Sequence, residues 1–350
     1  MSGITVITGG AGFLGFNLAL RLAGEGRDVV LIDDLTTPGA QERIGSTFKI
    51  EKSYGLRPHG YTIWHNHSLA SAGRICFFEE DLLSGIGSCF QHLMSNGKID
   101  EIYHLASPAS PSLYKKNPVR TLAVNTQALL NLLQIAHFER AKIFFASSSE
   151  VYGKPSVFPT PESYNGNVSC TGPRSCYDEG KRAGEAFCVA QAAERETEVR
   201  IGRIHNTFGP WQAAADRRLV PSLIWAALND APFEVHGTGE QKRSLCFVDD
   251  TISGILAVMK YGGRAEPYNI GSTFEYSINE LVVLVENQIG MKIDVRYMMD
   301  PQDKDDPVRR LPDLHKIRSI GWSGPNVGVP DGIQRTIEWM RNRDERGSLR

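Results

Sequence analysis

Through the first two thirds of the chain, short runs of Val, Ile, Leu and Phe alternate with longer stretches whose apolar residues recur at helical spacing. That alternation marks repeated strand–helix–strand units around a parallel sheet. It predicts strands at residues 4–8, 28–32, 75–78, 101–105, 142–146 and 199–204, and helices at 14–23, 118–138 and 175–195. Pro118 suits the first turn of its helix. The expected fold is α/β of the Rossmann type, a doubly wound parallel sheet, over residues 1–206. After Asn206 the alternation weakens, and prolines at 210, 221, 232, 267, 301, 307 and 312 separate helices at 220–229 and 278–288. A smaller C-terminal α/β lobe is expected over 207–345.

The first predicted strand runs into Thr8-Gly9-Gly10-Ala11-Gly12-Phe13-Leu14-Gly15 and then into an apolar helix. Glycines here let the backbone turn tightly, approach a pyrophosphate and pack helix on strand, while the helix N-terminus offers free N–H groups to phosphate. A glycine pattern alone is weak. This one has a strand before it, a helix after it, and Asp33 at the end of the second strand about 20 residues on, as a dinucleotide site requires. An acid there accepts hydrogen bonds from ribose hydroxyls and repels a 2′-phosphate, which favours NAD over NADP. Asp81, just after the third predicted strand, stands where an acid can meet adenine, although a strand-ending turn accounts for it equally well.

Tyr177-Asp178-Glu179-Gly180-Lys181 places a tyrosine and a lysine four apart on one helix face. Such a pair by itself is usually ordinary helix surface. Here it follows Ser147-Ser148-Ser149 at the end of a predicted strand, so a hydroxyl can converge with the phenol near a bound nicotinamide. A neighbouring ammonium is expected to lower the tyrosine pKa and fit it as a general base toward a sugar hydroxyl.

Composition narrows the partner. The 350 residues carry 38 Lys and Arg against 40 Asp and Glu, a net charge of −2, so nothing draws the chain toward nucleic acid or anionic lipid and a small molecule is expected. At 41% hydrophobic and 22% charged, with dispersed Gly and Pro, this is a globular composition. The six cysteines make no C-x-x-C pair, which excludes a zinc framework, gives no expected metal and points to a reducing compartment. No leader pattern opens the sequence and no apolar run reaches roughly 18 residues, so a cytoplasmic protein without a membrane segment is expected.

Beyond these readings, the chain resembles the extended short-chain dehydrogenase/reductases of the NAD-dependent epimerase/dehydratase family. The resembling stretches are His104 to Pro111, Ser147 to Gly153, Gly172 to Arg182, Arg203 to Pro210, Gly237 to Ser244 and Asp305 to Asp313. Within the family it looks most like the UDP-glucuronate decarboxylases that form UDP-xylose. The resemblance implies oxidation at sugar C4, loss of the carboxylate as carbon dioxide from the resulting β-keto acid, and re-reduction, with NAD returned unchanged. It gives Tyr177 the roles of base and acid, Lys181 that of holding it, and Ser148 the family's Thr/Ser place. It sets Ser149, Glu150 and Arg243 around the sugar carboxylate and C5, adds Phe13, Leu14, Leu82, Leu105 and Ser107, together with Tyr177 and Lys181, to the NAD-binding set, and puts Asn206 and Arg310 on the diphosphate. Related dehydratases carry Thr-Asp-Glu where this chain has Ser148-Ser149-Glu150, so the eliminating aspartate is missing. A homodimer pairing the helices at 118–138 and 175–195 is also implied.

The chain departs from the family in four places. Residues 46–73 form an insertion with His59, Trp64, His65 and His67, expected as a flap or subunit contact near the adenosine end. Ala123 stands where relatives carry a lysine, His205 where they carry phenylalanine, and Asp216-Arg217-Arg218 where Asp-Gly-Arg is usual. Two other readings remain open: a C4 epimerase of the same fold, and a non-catalytic NAD-binding regulator or scaffold.

Overall fold

Residues 3–47, 49–54, 61–65, 73–84, 89–90, 93–94, 97–298 and 309–344 are described by the computed structural model. The runs expected as strands are strands: β1 (Ile4–Thr8), β2 (Val29–Asp33), then, after β3 (Lys49–Tyr54) and β4 (Tyr61–His65), β5 (Ile75–Glu79), β6 (Ile99–His104), β7 (Lys142–Ser148) and β8 (Val199–Ile204). Among the described residues one large sheet has the order Pro267–Ile270, β8, β7, β6, β1, β2, β5, β4, β3. The first seven strands in that order are parallel, with registers such as Val6 opposite Val30 and opposite Ile102. Strand order reverses at β1, between β6 and β2, and a crevice opens there at the carboxyl ends of the strands.

Apolar residues fill these strands because helices cover both faces. Successive side chains go to opposite sides: Val29, Leu31 and Phe144 pack in one cluster, Val30, Ile32, Ile143 and Phe145 in the other. Helices Phe13–Gly24 and Val248–Tyr261 bury their apolar stripes on the first face. Helix Leu129–Glu139 and the Cys188–Ala192 turn of helix Ser175–Arg195 lie on the second.

Three features depart from the sequence reading. The expected flap contains strands: β3 and β4 pair antiparallel and extend the sheet from β5, while His59 and His67 lie outside the described residues. The segment 207–345, expected as a separate lobe, supplies Pro267–Ile270 to the main sheet, and its helices Leu219–Leu228, Ile278–Ile289 and Val329–Asp344 share the cluster of the first sheet face. The single helix expected at 118–138 is Pro118–Ala123, a π-turn Val124–Ala128 and Leu129–Glu139. π-turns recur at functional sites. This one places Asn125, whose Nδ2 donates to Thr121 O at 2.8 Å and to Ser107 Oγ at 2.9 Å. Among the described residues no helix is long and apolar enough to cross a membrane.

Candidate active site

The crevice at β1 is lined first by backbone. Gly9 has φ of +72°, and a Cβ there would lie 2.6 Å from Ala106 N; at Gly15 it would lie 2.2 Å from Gly9 O. Any side chain would therefore push the loop off β6 or the helix off the loop. Gly12 N donates to Gly9 O at 3.0 Å, and helix Phe13–Gly24 begins there with no side-chain cap, leaving its first N–H groups to the crevice. Glycine positions a Cβ would fill, beside an uncapped helix start, fit a pyrophosphate.

Asp33 ends β2, nearly buried, and accepts from Ala11 N at 3.1 Å and Leu35 N at 2.8 Å. Burial pushes its carboxyl up to about 6 against those two bonds. A carboxylate has about four acceptor sites, so capacity remains for ribose hydroxyls. Arg43, which the spacing of motifs did not reveal, is buried and donates to Ala11 O (2.6 Å), Trp211 O (2.8 Å) and Pro38 O (2.9 Å). It ties the glycine loop to two other segments. Asp81 accepts from Leu83 N and from Arg120, whose second nitrogen pairs with Asp34. Leu82 is buried beside it. Free N–H groups for phosphate and an acceptor carboxylate for hydroxyls are groups that a dinucleotide such as NAD fits.

Further along, a cavity of about 190 Å³ gathers Gly9, Gly12, Phe13, Leu14 and Gly15 with Leu105 and Ser107, and on its other wall Ser148, Ser149, Glu150, Tyr177, Lys181 and Asn206. Residues far apart in the chain thus meet in one cavity, which Asp33, Asp81, Leu82, Arg243 and Arg310 do not line. Tyr177 is stacked on Tyr114, ring centroids 5.2 Å apart at 14°. Lys181 donates to Ala146 O at 2.8 Å, with its Nζ 5.6 Å from the Tyr177 ring centroid.

The electrostatics differ from the expectation for this pair. Burial pushes the Tyr177 phenol up to about 12, opposed by the Ser148 hydroxyl and the Arg218 charge. Burial also lowers Lys181 to about 7. The ammonium expected to lower the phenol is itself disfavoured, because both groups are fully enclosed.

Glu150 sits in a charged cluster that no local motif announces. Arg174 Nη2 reaches Oε2 at 2.5 Å, and Arg310 spans both oxygens at 2.7 and 3.0 Å. Arg174 Nε is also 3.5 Å from Asp178 Oδ2. Burial and the Glu150 charge push Asp178 up to about 7, against the two arginines. Arg310 therefore holds Glu150 here. Arg243 lies apart from Tyr177: it lines an adjoining cavity of about 1310 Å³ with Arg174, Arg217 and Arg218. Gln212 and Arg218 border both cavities, and Gln212 Oε1 is buried without a hydrogen-bond partner among the described residues.

Two of the family departures, Ala123 and His205, lie in the walls around the site, and His205 lines the smaller cavity. Ala123 ends the helix before the π-turn. His205 is buried against Asn269 Oδ1 at 3.4 Å, and burial lowers it to about 3, so it is neutral at ordinary pH.

Residues 5–271 match the NAD dependent epimerase/dehydratase family. Over 341 residues the chain is 36% identical to UDP-glucuronic acid decarboxylase 1 of Xenopus tropicalis, covering 97% of this chain and 72% of that protein. UDP-glucose 4-epimerase of Thermotoga maritima, solved with UDP-glucose, superposes with a TM-score of 0.81 at 24% identity, covering 97% of this chain and 99% of that one. UDP-glucuronic acid 4-epimerase of Bacillus cereus, in complex with UDP-glucuronic acid and NAD, gives 0.79 at 24% identity with the same coverage. These solved structures agree with the Rossmann-type α/β fold.

Proposed function

The chain belongs to the NAD dependent epimerase/dehydratase family, and from that premise we propose that it decarboxylates UDP-glucuronate to UDP-xylose and carbon dioxide, using NAD catalytically. One observation carries the reading: the glycine loop shares a small cavity with Ser148, Glu150, Tyr177 and Lys181. Bound at the loop, NAD supplies reversible two-electron chemistry at sugar C4 and a cationic ring that favours tyrosinate. Gly9, Gly12, Gly15 and Asp33 would hold it, with Phe13, Leu14, Leu105 and Ser107 from the same cavity, and with Asp81 and Leu82 taken from the family resemblance.

Tyr177 Oη takes the proton of the C4 hydroxyl and later returns it. Ser148 hydrogen-bonds the phenolic oxygen, and Lys181, anchored on Ala146 O, fixes the ring from below. Once C4 is a ketone, the C5 carboxylate leaves as carbon dioxide and its electron pair delocalises into an enolate, stabilised by the Tyr177 and Ser148 hydroxyls. Ser149 and Glu150 would border C5, which takes a proton from solvent in place of the carboxylate before C4 is reduced and Tyr177 returns its own proton to the C4 oxygen. Arg243 lines the larger cavity, which collects arginines suited to phosphate and carboxylate; Asn206 lines the smaller one, beside Glu150 and its partner Arg310.

A homodimer is supported by exposed Val119, Leu122, Phe187 and Val189 on the helices at 118–123 and 175–195, and light scattering checks it. Six unbridged cysteines suit a cytoplasmic, reducing location.

Incubation with NAD and UDP-glucuronate, followed by NMR, tests the activity. UDP-xylose with released carbon dioxide is expected. A UDP-galacturonate product, carboxylate intact, would replace this reading by a C4 epimerase. No product and no transient NADH absorbance, while NAD still raises the melting temperature, would leave a binding protein.

A further inference from the structure

We infer that Arg217 is a substrate-binding residue particular to this chain, a cation on the cavity rim that contacts the diphosphate of the nucleotide sugar. The inference rests on the activity proposed above and adds to it a residue that the usual Asp-Gly-Arg pattern lacks.

Three observations converge on Arg217. Its backbone is left-handed, with φ of 54° and ψ of 34°, just after the 3-10 turn Ala214–Asp216. Glycine adopts that conformation without steric penalty, whereas any other side chain crowds the following carbonyl. The same conformation caps helices at Arg140 and Glu196, so here it fixes where the side chain leaves the turn, and what the position adds is a cation in place of the usual glycine.

Second, Arg217 lines the 1310 Å³ cavity together with Lys115, Arg174, Arg218 and Arg243, against two carboxylates in the same lining, Glu42, which is paired with Arg343, and Glu234. Third, Arg217 has no side-chain hydrogen bond or ion pair among the described residues. Its neighbours are occupied: Arg218 donates to Ala109 O and lies 3.8 Å from Asp216, and Arg174 holds Glu150. Arg217 is exposed, so it binds an anion without first breaking a bond to the protein. A guanidinium fork matches two phosphate oxygens.

The test compares wild type with Arg217→Gly in calorimetric titrations of UDP and of uridine, with NAD present, and in steady-state decarboxylation. Arg217→Gly should weaken UDP and raise KM for UDP-glucuronate by roughly tenfold, the scale of one charged hydrogen-bonded contact. kcat should stay within about twofold and uridine binding should not change. The melting temperature should hold or rise by about 1 °C, because the strain is relieved. Arg217→Lys should recover part of the affinity, and the difference from wild type should shrink as salt is added.

Equal UDP affinity in wild type and Arg217→Gly overturns the inference. So does an equal loss for uridine, which has no phosphate. If Arg217→Gly fails to fold, Arg217→Asn, which tolerates the same backbone, gives the same readout; failure of both variants to fold makes Arg217 structural and overturns the inference. A wild-type protein that binds UDP but releases no carbon dioxide defeats the proposed activity and leaves Arg217 to be judged on the titrations.

Discussion

At the cofactor end of the site, the groups that face the ligand are main-chain atoms of one strand–turn–helix unit, closed in by glycines whose Cβ would strike Ala106 N or Gly9 O. At the sugar end they are charged side chains brought together from far apart: Glu150 is held by Arg174, 24 positions away, and by Arg310, 160 positions away. The first end presents backbone to the ligand, even though Arg43 ties its loop to Trp211. The second exists only when distant segments are docked, and it couples stability, charge and chemistry. Substitutions at the two ends should therefore fail in different ways.

The largest effect belongs to the residue where the ends meet. Tyr177→Phe removes one oxygen from a stacked, buried ring, so the fold and NAD affinity should stay while kcat falls by roughly a thousandfold, the range for a lost general acid–base group. NMR of the product and calorimetry with NAD check the two halves. A loss of NAD binding equal to the loss of rate would break the comparison, since the phenol would then be part of the cofactor end.

Next comes the sugar end itself. Glu150→Ala takes from Arg174 and Arg310 the carboxylate they share, and breaking a buried ion pair by removing one partner costs about 3 kcal/mol. The melting temperature should drop and turnover should vanish, whereas NAD affinity measured below the transition should hardly move. At the cofactor end the pattern inverts. Gly9→Ala places a Cβ 2.6 Å from Ala106 N at a φ of +72°, and the displaced loop should lose NAD affinity by roughly fiftyfold, for strain of about 2 kcal/mol. Its effect on the charged cluster should be slight, so decarboxylation at saturating NAD should recover.

This contrast also explains what was legible before any coordinates. Strand β1, the glycine loop and Asp33 sit within one continuous stretch, so spacing alone located them. Tyr177 and Lys181 were equally plain, being one helical turn apart. The Arg174–Glu150–Arg310 clamp was not, because nothing in the sequence near Glu150 announces a partner 160 residues later. Arg43 was missed for another reason: its three donors go to backbone carbonyls, and a carbonyl has no residue type to read. Pro267–Ile270 joined the main sheet although only four residues long, since pairing with β8 is a tertiary event that periodicity does not encode. The hairpin of β3 and β4 in the insertion likewise extends an edge that the flanking pattern left open.

The smallest prediction concerns protons. Asp178 has an ordinary value of 3.8 and stands at about 7 in the folded chain. Between those values the native state holds a proton that the unfolded state has lost, so the contribution of Asp178 to stability falls as pH rises through that window. Asp33, raised to about 6, acts in the same direction over a narrower range. His104 and His205, both lowered to about 3 by burial, act oppositely: between about 3 and 6.5 the unfolded state binds more protons and stability rises with pH. Lys181, lowered from 10.5 to about 7, adds a further rise above neutrality. The whole profile is thus a sum of opposing slopes, and the informative quantity is the difference between wild type and Asp178→Asn. The variant cannot titrate there, so the melting temperature of wild type should fall relative to it by about 3 °C between pH 4 and pH 7. Parallel profiles would mean that Asp178 is ionised throughout, held so by Arg174, and that the sugar end titrates no more than the cofactor end.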